Sequence, residues 1–92
     1  MRPQRIIFMG TPEISKTYLQ SLIDNKYNII ATYTQPPRKK GRGMLKQKSP
    51  VHELSLEHNI PVYHPKNFAS LKSIDELKKL KPDLVVIMGY GL

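Results

Sequence analysis

The chain has 92 residues and no cysteine. That rules out disulfide frameworks and thiolate metal sites and fits a reducing compartment. No apolar run approaches the ~18 residues needed to cross a bilayer. The run nearest the start, Ile6-Ile7-Phe8-Met9, is too short for a secretory signal. The sequence therefore reads as cytoplasmic, with no membrane partner. The three histidines, His52, His58 and His64, match no metal-ligand spacing and read as surface or helix-end residues, so no metal is expected. Acids are scarce as well: 7 Asp and Glu stand against 15 Lys and Arg, a net charge of +8.

The charge imbalance is local. Residues 36–50, Pro-Pro-Arg-Lys-Lys-Gly-Arg-Gly-Met-Leu-Lys-Gln-Lys-Ser-Pro, hold six of the 15 cations and no acid, leaving nine against seven elsewhere. Those six are Arg38, Lys39, Lys40, Arg42, Lys46 and Lys48. A loop that repels itself and cannot bury its charge has no packing reason to exist. It reads either as a solvated connector or as a site for a polyanion, nucleic acid first. Gly41 and Gly43 flank Arg42, allowing close backbone approach beside a side chain suited to bidentate phosphate contact. No aromatic is interleaved, so the expected mode is a grip on the phosphate backbone or insertion past paired bases, and not base stacking.

The rest of the chain alternates strand and helix signals. Ile6-Ile7-Phe8-Met9 is a continuous apolar run ended by Gly10, as in a strand covered on both faces. Thr11-Pro12-Glu13 reads as N-cap, N1 proline and first-turn acid. A helix follows with Ile14, Tyr18 and Leu22 as its buried stripe, widened by Leu19 and Ile23. Tyr18 and Tyr27 read as packing residues. Ile29 to Tyr33 is a second strand leading into Thr34-Gln35 and the basic loop. Ser49-Pro50 caps a short helix through Val51, Leu54 and Glu57. Ile60-Pro61-Val62-Tyr63 is a third strand, placed at an edge by its proline. Ser73-Ile74-Asp75-Glu76 reads as a capping box opening a third helix with Ile74, Leu77 and Leu80 inward. Lys78, Lys79 and Lys81 crowd that helix's last turn, where the dipole favours cations. Leu84 to Met88 is the fourth strand, ended by Gly89-Tyr90-Gly91.

This order implies an α/β fold with an open parallel sheet and right-handed crossovers. Strand order 3-2-1-4 keeps the proline-bearing strand at an edge and the two most apolar strands, first and fourth, central. A sheet ending on its most hydrophobic strand reads as incomplete, so residues 1–92 are expected to be an N-terminal portion of a larger domain. In open α/β sheets ligands bind beyond the carboxyl ends of the strands, where strand order reverses. That places Gly10-Thr11-Pro12 opposite Gly89-Tyr90-Gly91, with the basic loop rising on the same side. A strand-to-helix turn would need the same glycine and cap without any ligand. For Tyr90, packing and ligand contact both stand open. The Gly-x-Gly-x-x-Gly fingerprint is missing, and the second strand ends in Thr34-Gln35 without an acid, which argues against a dinucleotide. No nucleophile–base pair or paired carboxylate assembles from these segments, so no catalytic residue is expected within the chain.

An ordered set of short motifs carries a resemblance. Phe8-Met9-Gly10-Thr11-Pro12-Glu13, Thr34-Gln35-Pro36, Arg38, Gly41-Arg42-Gly43, Ser49-Pro50-Val51, Ile60-Pro61-Val62, Pro82-Asp83-Leu84-Val85-Val86 and Tyr90-Gly91-Leu92 together resemble the start of the methionyl-tRNA formyltransferases. The resemblance implies a Rossmann-like formyltransferase domain. It implies transfer of a formyl group from 10-formyltetrahydrofolate to the methionine of initiator methionyl-tRNA, in translation initiation. It implies a tRNA-binding set of Arg38, Lys39, Lys40, Gly41, Arg42, Gly43, Lys46 and Lys48, a substrate-pocket loop of Gly10, Thr11 and Pro12, and a folate-side segment of Tyr90, Gly91 and Leu92. The family's catalytic asparagine, histidine and aspartate, and its Ser-Leu-Leu-Pro folate motif, fall beyond Leu92, so the chain alone is expected to be inactive and its parent monomeric. The chain departs from the family where Pro37 replaces a commonly acidic residue, Lys39-Lys40 a Pro-Ala pair, and Met44-Leu45 frequent lysines. An amino-sugar-nucleotide formyltransferase shares the fold and the glycine turns, but a small substrate has no need of six cations. A non-catalytic nucleic-acid-binding module would need a sheet that closes without further strands.

Overall fold

Ile6–Met9 has no polar side chain to offer water, and all four residues are buried as strand β1. A computed structural model of the chain describes residues 3–40, 45–66 and 71–91, Lys40 by its backbone alone. After β1 come α1 (Glu13–Asp24), β2 (Ile29–Tyr33), β3 (Arg38–Lys40), β4 (Leu45–Gln47), α2 (Pro50–Glu57), β5 (Val62–Tyr63), α3 (Leu71–Lys79) and β6 (Leu84–Ile87). Four strands form one sheet in the order β5-β2-β1-β6, and every pairing is parallel. This is the arrangement expected from the alternation of elements. β5 lies at one outer position, and the carbonyl of its preceding Pro61 accepts from Thr32 N at 2.9 Å. β6 ends this part of the sheet, as the order 3-2-1-4 requires. Among the described residues it pairs with β1 alone, and its Leu84 and Ile87 are 46% and 66% exposed.

The alternation of side chains along β1 divides the core between the two sheet faces. Phe8 packs with Leu19 of α1 and with Val51 and Leu54 of α2 on one side. Ile7 and Met9 pack with Ala31 and Tyr33 on the other, where Leu77 and Leu80 cover them in part. Fully burying a side chain of this size contributes about 1.5–3 kcal/mol.

Several local expectations are overturned by packing. The inward line of α1 is Ser15 and Leu19, with Leu22 and Ile23 partly covered, whereas Ile14 and Tyr18 are 65% and 49% exposed. The reason is Ser15: its small side chain lets the helix approach β6, and its Oγ donates to the Met88 carbonyl. Tyr27, also expected to pack, is 54% exposed. Pro12, not Thr11, occupies the N-cap of α1, and it supplies no side-chain cap. Ser73 does not open α3 but lies buried inside it, and residues 67–70, which lead into the helix, fall outside the described residues. At the other end of α3, Lys78 and Lys79 stand in the last turn as the sequence implies, and Arg5 adds a further cation there, its Nη2 donating to the Leu80 carbonyl at 2.7 Å. Ser49 does cap α2, its Oγ accepting from His52 N at 3.0 Å. His52 is not a surface residue: it is 7% exposed, with its ring 5.4 Å from that of His64.

Candidate functional site

β1, β2 and β6 end at the same edge of the sheet, and hydrogen bonds tie their exits together. Gly10 N donates to Tyr33 O at 3.0 Å and Thr11 N to Gly89 O at 3.1 Å. Thr11 Oγ1, free of any capping duty, donates to Tyr90 O at 2.7 Å and accepts from Gln35 N at 3.2 Å. Gln35 Nε2 reaches Gly91 O at 3.1 Å and Tyr90 O at 3.4 Å. A β-carbon at Gly10 would meet Met88 O, Phe8 Cε2 and Ser15 Cβ, each at 2.8 Å, so only glycine lets these three segments close up. Gly89 and Gly91 take positive φ angles of 65° and 83°, which turn the chain back across the exits of β1 and β2.

Above this junction opens a cleft of about 670 Å³. One wall is Thr11 and Pro12 with Gly89, Tyr90 and Gly91; the facing wall carries Pro36, Arg38, Lys48 and Pro50. Glu13 is the one carboxylate lining it among the described residues. Burial pushes the Tyr90 phenol pKa above its ordinary 10.0, so the ring stands neutral in the wall. Beneath it Tyr33 is pushed up to about 12 by burial first, then by Glu76, Tyr63 and Tyr90. Tyr33 stacks on Tyr63 with ring centroids 5.0 Å apart.

The basic segment is not an irregular loop. β3 and β4 pair antiparallel as a ribbon, with Arg38 opposite Gln47, Lys39 opposite Lys46 and Lys40 opposite Leu45. Residues directly opposite share a face, and faces alternate along a strand. Arg38 and Gln47 line the cleft, which puts Lys39 and Lys46 on the ribbon's other face, both exposed. Like charges directly opposite destabilise a ribbon. Between described residues the one ion pair is Lys16 to Glu13 at 3.7 Å, so no acid relieves the two lysines there.

Of the residues singled out from sequence, Thr11, Pro12, Arg38, Lys48, Tyr90 and Gly91 meet in the cleft. Gly10 is buried beneath it and does not line it. Lys39 and Lys46 share the ribbon's outward face. Gly41, Arg42, Gly43 and Leu92 lie outside the described residues. Gln35 and Ser15 escaped sequence reading as site residues. Gln35 stands in the sequence reading as the polar end of the second strand and within the Thr34-Gln35-Pro36 motif, without a role of its own. Ser15 gave no signal, because a serine within a helix reads as surface. The described residues contain no group of three or more metal ligands, and no described helix is long and apolar enough to cross a membrane.

Residues 4–92 match the family described as formyl transferase. The chain belongs to that family. It is 46% identical over 92 residues to the methionyl-tRNA formyltransferase of Legionella pneumophila (strain Paris), covering 100% of this chain and 29% of that protein. It is 48% identical over 90 residues to the protein of the same name from Pseudomonas savastanoi pv. phaseolicola, covering 98% of this chain and 29% of the relative. Against the one from Pseudomonas fluorescens it is 48% identical over 90 residues, 98% of this chain and 28% of the relative. The chain spans 28–29% of the length of these relatives.

Proposed function

We propose that the chain forms the donor-facing and RNA-facing part of a cytoplasmic, monomeric methionyl-tRNA formyltransferase, acting in translation initiation. The enzyme would move the formyl group of 10-formyltetrahydrofolate to the amino group of methionine on initiator tRNA. One observation carries this reading: a ribbon bearing opposed, unrelieved lysines lines, with its Arg38 side, the same cleft that Tyr90 and Gly91 wall on the other side. The names of the relatives point to the same chemistry.

In the transfer, the methionine nitrogen attacks the formyl carbon. A new nitrogen–carbon bond forms, the bond from that carbon to the donor nitrogen breaks, and the proton lost by the amine ends on the donor nitrogen. The role assigned to this chain is to place the reactants. Tyr90, Pro12 and Pro36 give the cleft flat, largely apolar walls suited to a pterin-like ring, with Gly91 beside Tyr90; Leu92 is assigned to the donor side from sequence alone. Gly10 closes the floor beneath Thr11. Arg38 and Lys48 face the polyanion from the cleft side and Lys39 and Lys46 from the ribbon's other face; the role in tRNA binding assigned to Lys40, Gly41, Arg42 and Gly43 rests on sequence alone. The proton-transfer and oxyanion groups are assigned outside this chain.

The test is a chimaera in which residues 1–92 replace the matching stretch of the Legionella relative. Arg42→Ala should lower formylation of initiator methionyl-tRNA by about tenfold to a hundredfold, the loss of one charged contact, and leave donor affinity nearly unchanged. Equal loss of both removes the role assigned to the ribbon.

A further inference from the structure

The ribbon is not the only basic surface at this end of the sheet. β5 runs parallel to β2, with Thr34 N donating to Tyr63 O at 3.0 Å. Neighbouring strands lie about 4.8 Å apart, so the chain leaving β5 starts beside the chain that leads into the ribbon. It carries His64 and Lys66, and Lys72 of α3 joins them around an open hollow of about 440 Å³. All three are exposed. The hollow is lined by one carboxylate, Glu76, which is half-buried and close enough to Tyr33 to help raise its phenol pKa.

The two basic surfaces leave neighbouring strands, β2 and β5, which pair in parallel. Lys48, just past the ribbon's return strand, acts on His52, helping to hold that imidazole's pKa below 6.5 after burial and His64. The His52 and His64 rings are 5.4 Å apart, and His64 lines the hollow with Lys66 and Lys72. We propose that His64, Lys66 and Lys72 form a second phosphate-contacting surface, along which an RNA helix held by the ribbon continues across the carboxyl end of β5. This rests on the reading of the ribbon as an RNA clasp and extends it to a second element. An RNA backbone suits the surface better than a small anion. The cations point into solvent, and Ser73, the buried polar side chain in the wall, is already engaged. Duplex RNA is recognised largely by its shape and its phosphates, which asks for separated exposed cations and not for an enclosed pocket.

The test measures binding of a short RNA hairpin to the chimaera that carries residues 1–92 in the Legionella relative, by fluorescence anisotropy across a salt series. Lys66→Ala with Lys72→Ala should weaken binding about tenfold and reduce the slope of log affinity against log salt by about 1 to 2. Lys66→Arg with Lys72→Arg should keep near-native affinity, which separates lost charge from damaged folding. If the alanine pair binds like the parent while Lys39→Ala with Lys46→Ala is weakened, the second surface is refuted and the ribbon's role survives. If neither pair changes binding, both fall. If inorganic phosphate perturbs the amide resonances of Lys66 and Lys72 while RNA does not, the hollow is a small-anion site and the proposal is overturned.

Discussion

The carboxyl edge of the sheet and the ribbon above it treat polar groups in opposite ways. At the edge, hydroxyls are paired within the protein: the buried Thr32 with Ser55 at 2.7 Å, Thr34 with Ser49 at 2.6 Å and Ser15 with the Met88 carbonyl, and the partly buried Thr11 with Tyr90 O. Buried groups left without partners would cost about 1–3 kcal/mol each, so this edge is rigid because it is satisfied. On the ribbon, Arg38, Lys39, Lys46 and Lys48 are exposed or line the cleft, and Lys39 faces Lys46. What the ribbon lacks within the protein is opposite charge. The floor is held in shape by its own hydrogen bonds, whereas on the ribbon Lys39 stands opposite Lys46 with no described acid paired to either.

The largest expected effect tests the floor. Gly10→Ala would force a methyl against a backbone carbonyl, an aromatic ring and Ser15. Overpacking of this kind costs about 1–3 kcal/mol, and the contact with backbone puts this site at the upper end. Urea unfolding of the chain should show it. A loss below about 0.5 kcal/mol would mean that the three strand exits are not locked together.

A smaller effect sharpens the boundary between the two regions, where His52 sits. Burial, then His64 and Lys48, hold its pKa below 6.5, and Glu53 opposes them only in part. The unfolded chain therefore binds more protons than the folded one at mildly acidic pH. Stability should be full above about pH 6.5 and fall as pH drops below it, with a slope of at most ~1.4 kcal/mol per pH unit. Thermal melts between pH 7.5 and 5 should show this decline, and His52→Asn should flatten it. An unchanged decline in the variant would transfer the effect to another group.

The smallest effect on folding belongs to the ribbon. Lys39→Glu turns a like-charge pair into an opposite-charge one and should change stability by no more than about 0.2–1 kcal/mol, in the favourable direction, while RNA affinity falls about tenfold. A variant that is both destabilised and RNA-competent would erase the contrast between the two regions.

Much of this was legible before any coordinates. The apolar run at Ile6–Met9, the cap at Ser49, the proline before β5 and the glycines at 10, 89 and 91 are local signals with local causes. Other features depend on partners distant in sequence. Arg5 caps a helix 75 residues away, and no window of sequence holds both ends of that contact. The α1 stripe was misjudged because periodicity favours Ile14 over Ser15, and only the Met88 carbonyl makes the smaller residue the inward one. The pairing within 38–47 was hidden because lysines opposite each other contradict strand preference.

The order of the elements, the clustering of cations after β2 and the glycines that close the turns followed from composition and spacing alone, since each depends on neighbours a few residues away. Tertiary structure decided which face of α1 turns inward, that Gln35 and Thr11 bind the three exits into one floor, and that Arg38 looks into the cleft while Lys39 and Lys46 look away. Those outcomes depend on contacts between segments brought together by the sheet, and the energy that selects them does not exist until the sheet has formed.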